Sequence, residues 1–175
     1  DRMPPSARMN VPQVYWSHYR LGDSPTDAGG RLEWTRPETL RDWNHMPSTR
    51  NTVDGEEYIW LAGMLPTGPG NRPEPDAYLL FTAATYDFEL YSGTVLLYRH
   101  GDMEKGADRL HAEQSVFVPL ANHVPSQPLM LRIHSLRNNV LMGKISPVLY
   151  GSQSELKLNL IRQDMLNVLL LLVFL

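Results

Sequence analysis

The chain has 175 residues and a formal charge of −3, which describes one domain of ordinary size with appendages rather than a nucleic-acid binder. Its sixteen Lys and Arg residues are scattered and form no basic stripe. With no cysteine, it has no disulfide framework, no thiol nucleophile and no thiolate zinc site.

The first thirty residues read as an irregular arm, interrupted by Pro4, Pro5, Pro12, Pro25 and Gly29-Gly30. Within it the apolar cluster Val14-Tyr15-Trp16 is suited to pin the arm to the body. From residue 31 to 151 short apolar runs alternate with Gly, Pro, Asn and Asp, the pattern of an all-β domain. It predicts strands near Arg31–Thr35, Glu57–Leu65, Ala77–Ala83, Asp87–Tyr91, Thr94–Arg99, Ser115–Leu120, Leu129–Ser135 and Ile145–Tyr150. Eight strands suffice for two sheets. Tyr58 to Leu65 is apolar on both faces and belongs in the middle of a sheet.

The clearest unit is residues 85–101. Tyr86, Phe88 and Leu90 alternate with Asp87, Glu89 and Tyr91, Ser92-Gly93 fits a two-residue turn, and Val95 and Leu97 resume the apolar face. Leu129, Leu131 and Ile133 alternate in the same way with Met130, Arg132 and His134. Of the second set Arg132 and His134, like Asp87 and Glu89, are expected to face water.

From residue 152 the pattern becomes helical. Ser152 or Ser154 is a candidate cap, Glu155 complements the helix dipole, and Leu156 and Leu160 lie one turn apart. Without a Gly or Pro break the pattern enters Met165–Leu175, ten apolar residues and one Asn. Eleven residues fall short of the roughly 20 that cross a hydrocarbon core. A run of this length also suits a buried core helix. Because Val168 to Leu175 is apolar on every side, the expectation is the start of a transmembrane helix, with residues 152–175 forming a linker helix that enters the membrane. No signal segment follows Asp1, so a cleaved signal or an earlier membrane helix would lie outside this sequence.

The succession YIWLAGMLP, AYLLFTAATYDFELYSGTVLLYRHG, VFVPL, LMLRIHS and RQDMLNVLLLLVFL resembles the extracytoplasmic sensor domains of bacterial membrane-bound signalling proteins. The resemblance covers roughly residues 55–175. It implies a jelly-roll, galactose-binding-like β-sandwich at the cell membrane, on the extracytoplasmic side. It also implies a non-catalytic ligand-sensing role, coupled to a histidine kinase, nucleotide cyclase or phosphatase output that this chain does not contain. The alternative is a carbohydrate-binding module or accessory domain of a carbohydrate-active protein.

For enzyme chemistry the candidates are thin. Asp54, Glu56 and Glu57 offer carboxylates of the kind glycosidases use, but acids clustered around a Gly are the ordinary content of a solvated turn. His100 with Asp102, and His111 with Glu113, have the spacing of paired metal ligands, which six scattered histidines also produce by chance. Ser115 and Ser135 lack a nucleophile-elbow context. The expectation is therefore no catalytic residue, no metal and no cofactor. Aromatic side chains are the better hint, since they stack on the apolar face of a sugar ring. Trp60 reads as core, Trp43 as the exposed tryptophan, and Tyr91, Arg99 and His100 join Trp43 as candidate ligand contacts. Expected partners are a small molecule, carbohydrates included, or a protein; the membrane through the C-terminal helix; and a second copy of the chain in a homodimer. Nucleic acid is not among them.

Overall fold

A computed structural model describes residues 11–25, 58–65, 76–84, 86–103, 114–134 and 148–173, the side chains of 21, 83 and 166–173 excepted. The elements are β1 (Tyr15–Leu21), β2 (Tyr58–Met64), β3 (Ala77–Ala84), β4 (Asp87–Ser92), β5 (Val95–His100), β6 (Gln114–Pro119), β7 (Leu129–His134), β8 (Val148–Ser152) and α1 (Gln153–Val173). The predicted strand at Arg31–Thr35 lies outside the described residues.

The strands form two antiparallel sheets, a five-stranded one ordered β1-β2-β7-β4-β5 and a three-stranded one ordered β6-β3-β8. The pairings nest. β4 pairs with β5, β3 with β6 and β2 with β7. Outside these, residues 12–14 run beside β8, with Gln13 bridging Leu149, Val14 N–H donating to Val148 O at 2.8 Å and Tyr150 N–H to Pro12 O at 2.8 Å. The chain then crosses to the other sheet, where β1 lies against β2 with a register shift between Trp16 and His18. Part of the expected irregular arm is thus an edge strand. Tyr15–Leu21 carries too little alternation to announce itself, because its inward residues, Trp16 and Tyr19, fall on either side of the bulge.

Between the sheets sits the core, built from Ile59, Leu61, Leu79, Phe81, Phe88, Leu90, Val118, Leu129, Leu131, Ile133 and Val148. Phe81 and Phe88 stack across the gap with centroids 4.4 Å apart. Successive residues point to opposite faces, so Tyr78, Leu80, Phe117 and Leu149 form a second apolar surface on the outside of the small sheet. Leu156 of α1, fully buried, closes over it together with Leu160.

At the β4–β5 hairpin Ser92 pairs with Val95, so the turn is Gly93-Thr94, one residue later than predicted. Gly93 supplies the positive φ of 57°, and a side chain there would strike Gln127 Oε1. A register shift after Leu90 opposite Tyr98 turns Val95 outward, where the sequence pattern had placed it inward.

β8 passes into α1 with no intervening residue. Ser152 is the cap: its Oγ accepts from Glu155 N–H at 3.3 Å, while Glu155 Oε2 accepts from Ser152 N–H at 3.0 Å and from its hydroxyl at 2.9 Å. Beyond Leu160 residues 161–165 are all exposed, so this part of the helix stands clear of the described sandwich. Among the described residues no helix is long and apolar enough to cross a membrane.

Candidate functional site

Five side chains lie in one row across the outer face of the large sheet, one from each strand: Arg20, Trp60, Arg132, Glu89 and Arg99. Their register follows from antiparallel pairing of alternating strands, which puts directly opposed residues on the same face. An adjacent row carries Tyr58, His134 and Asp87.

Glu89 is the centre, with only 1% of its surface exposed. Arg99 donates from Nε to Oε1 at 2.7 Å and brings Nη2 within 2.6 Å of it; Arg132 Nη1 donates to Oε2 at 2.8 Å and the Tyr91 hydroxyl to Oε2 at 2.7 Å. Burial raises the carboxyl's pKa, but the hydrogen bonds from Tyr91 and Arg132 and the two guanidinium charges outweigh it and hold it below the usual carboxylate range. Burial, and then the bond to Glu89, pushes the Tyr91 hydroxyl up to about 12. Glu89 therefore stays ionised, and its oxygens are taken up by donors. This suits a structural anchor better than a proton donor.

Arg132 is stacked as well as paired. Its guanidinium carbon lies 4.5 Å from the Tyr58 ring centre and 5.9 Å from that of Trp60. Trp60 and Tyr91 are 5.4 Å apart, and Tyr58 stacks on His134 at 4.5 Å. Two loops roof the face. Tyr58 OH donates to Met103 O at 2.8 Å, and Trp60 Nε1 to Asp23 O at 3.1 Å. The Asp23 carboxylate accepts from Arg132 Nη2, and Ser24 O from Arg20 Nε at 3.1 Å. Burial would lower the Arg132 pKa, but Glu89 and Asp23 raise it above its ordinary value, so the guanidinium remains charged.

The expected water-facing set is thereby corrected: Asp87, Glu89 and His134 are buried and Arg132 is only partly exposed. Alternation located the face, but it carries no information about loops that fold over it. Of the predicted ligand contacts, Tyr91 and Arg99 meet on Glu89. His100 pairs with Phe88 and lies 5.2 Å from its ring, on the opposite face from Arg99. Trp43, like the Asp54, Glu56, Glu57, His111, Glu113 and Ser135 candidates, lies outside the described residues. Trp60 is buried as expected, yet within this polar cluster and not between the sheets. Asp23 and Tyr58 were missed; the alternation of β2 puts Tyr58 on the face of Trp60, but nothing local marks Asp23.

A second polar cluster joins the β6–β7 loop to the hairpin. Val124 N–H donates to Ser92 Oγ at 3.1 Å, and the hydroxyl lies 2.9 Å from His123 Nδ1. The hydroxyl oxygen thus accepts from the amide and also bonds the imidazole, linking the loop to the end of β4. Ser92 is fully buried, and burial lowers the His123 pKa. No group of three or more His, Asp or Glu among the described residues is placed to hold a metal. The chain matches no family model, no curated protein and no solved structure.

Proposed function

We propose that the chain is a non-catalytic, ligand-sensing domain on the extracytoplasmic side of a membrane-anchored bacterial signalling protein. In this reading it is a jelly roll that takes a small molecule on the outer face of its five-stranded sheet. The nested pairings and the two-sheet order support the jelly roll, whose eight strands wrap as two Greek keys. One observation carries the sensing role. β8 becomes α1 without a linker, so a shift of the sandwich is delivered to a helix whose far end is apolar on all sides. A ligand with different affinities for two arrangements of the sheet then shifts the population of helix orientations.

Flotation with phospholipid vesicles tests the anchoring. The full chain should rise with the vesicles, and the chain ending at Asp164 should stay in solution at nearly unchanged thermal stability. A full chain that stays in solution, or a truncation that lowers the melting temperature by many degrees, overturns the membrane reading and makes the apolar end part of the core.

A further inference from the structure

Arg132 can present a paired donor edge, Nε and Nη2 side by side, to a carboxylate. Only half of that edge is used. Asp23 accepts from Nη2 alone, while Nε is buried with no acceptor among the described residues. Leaving a buried guanidinium donor unsatisfied is costly, so the arrangement is a compromise and not the best the site can make.

The group that makes the partial contact is also the one best able to leave. The Asp23 side chain is 64% exposed and sits just after Gly22, whose φ of 104° is one that few other residues adopt. Gly22 N–H donates to Tyr58 O at 3.0 Å, and beyond that bond the main-chain oxygens of Asp23 and Ser24 accept from Trp60 Nε1 and Arg20 Nε. On the other side the guanidinium is fixed, by Glu89 through Nη1 and by the Tyr58 and Trp60 rings. A displaced strap would therefore leave a preorganised receptor.

We propose that Arg132 is the receptor for a small-molecule carboxylate, and that Asp23 is a tethered stand-in which the ligand displaces to bind through both Nε and Nη2. This rests on the reading that the outer face of the five-stranded sheet takes a ligand, and it names that ligand's chemistry. Lifting the strap removes the Asp23 carbonyl from the Trp60 indole, so the same event that admits the ligand uncovers an aromatic surface for its body. The apparent affinity is that of the open receptor reduced by the fraction of molecules in which Asp23 is away.

Asp23→Asn discriminates. It removes the competing charge at an exposed position while keeping the main-chain bond to Trp60. Acetate, and the matched pair glucuronate and glucose, are titrated into wild-type and Asp23→Asn protein. The Arg132 Nε–H resonance, assigned by its loss in Arg132→Lys, reports on the donor edge. Both carboxylates should shift that resonance and glucose should not, and Asp23→Asn should tighten carboxylate binding about tenfold or more. Equal binding of glucose and glucuronate with no effect of Asp23→Asn overturns the carboxylate assignment and leaves ligand sensing standing. Absence of carboxylate binding to Asp23→Asn also overturns it. The membrane reading is judged separately by flotation, which Asp23→Asn should leave unchanged.

Discussion

On the outside of the three-stranded sheet Leu80 and Leu149 meet Leu156 of α1, whereas on the outside of the five-stranded sheet Arg132, Glu89 and Arg99 meet one another beneath Asp23 and Met103. Both faces are covered, the second only in part since Arg99 is 54% exposed, and by different physics. Leucine against leucine is non-directional and gains roughly 1.5–3 kcal/mol for each side chain fully buried. The charged row gains little net stability, because desolvation offsets most of the Coulomb attraction, and it fixes geometry instead. A face covered by apolar packing serves as a mount for the helix. One covered by directional bonds under a loop is suited to be uncovered.

The largest expected effect breaks the charged row. Glu89→Ala takes from Arg132, whose side chain is 18% exposed, the carboxylate that holds Nη1, while Arg99 remains open to water, and should lower stability by about 3 kcal/mol. Replacing Glu89, Arg99 and Arg132 together with Leu, Leu and Met should cost far less, within about 1 kcal/mol of the wild type. Chemical denaturation of the two proteins tests the difference. A triple variant as unstable as the single one would mean that the row is a net stabiliser and that the contrast between the faces is wrong.

Next comes the apolar face. Leu156→Ala removes a fully buried side chain and should cost about 2–4 kcal/mol, with melting of α1 preceding that of the strands. Unlike Glu89, Leu156 has no partner whose removal restores stability. If Leu156→Ala leaves the melting curve unmoved, α1 is not seated on the sheet in solution.

A smaller effect is set by pH at the hairpin. Burial holds His123 below its ordinary pKa of 6.5, so between its folded value and 6.5 the unfolded chain binds more protons than the folded one. The stability it contributes is complete above 6.5 and is lost as the pH falls through that window to the folded value. Melting temperatures measured near pH 8 and near pH 5 should differ more for the wild type than for His123→Asn, whose amide can donate to or accept from Ser92 without titrating. An identical pH dependence in the two proteins would show that folding does not lower the His123 pKa.

These contrasts also explain what the sequence made legible. Period-2 alternation in Asp87–Ser92 and Leu129–His134 marked both faces correctly, since side-chain direction along a strand is local information. Whether the polar face is wet is not local. Asp23 lies 109 residues from Arg132, and nothing around Gly22-Asp23-Ser24 announces that it will close over β2 and β7. β1 stayed hidden for a related reason: its register shifts at the bulge, so its pattern is legible only beside Tyr58–Met64. The helix, by contrast, is written in adjacent residues. Its cap and its buried Leu156 both fall within the first turn and a half.

The least effect should come from that cap. Ser152 Oγ accepts from Glu155 N–H, and Glu155 returns the contact to Ser152 N–H, so Ser152→Ala removes half of a reciprocal pair and should cost about 1 kcal/mol. Both side chains are at the surface, where water replaces part of what is lost. Leu156, one turn on, still clamps the helix to Leu80 and Leu149. Ser154→Ala, inside the helix, should be close to neutral and separates capping from a general effect of shortening a hydroxyl residue. The informative quantity is the ratio of the Ser152→Ala loss to that of Leu156→Ala. A small ratio means that the sheet holds the helix and the cap only sets where it begins. Equal losses would mean that α1 is held chiefly at its first turn, and a helix held there would pivot about Ser152 when the sandwich changes shape.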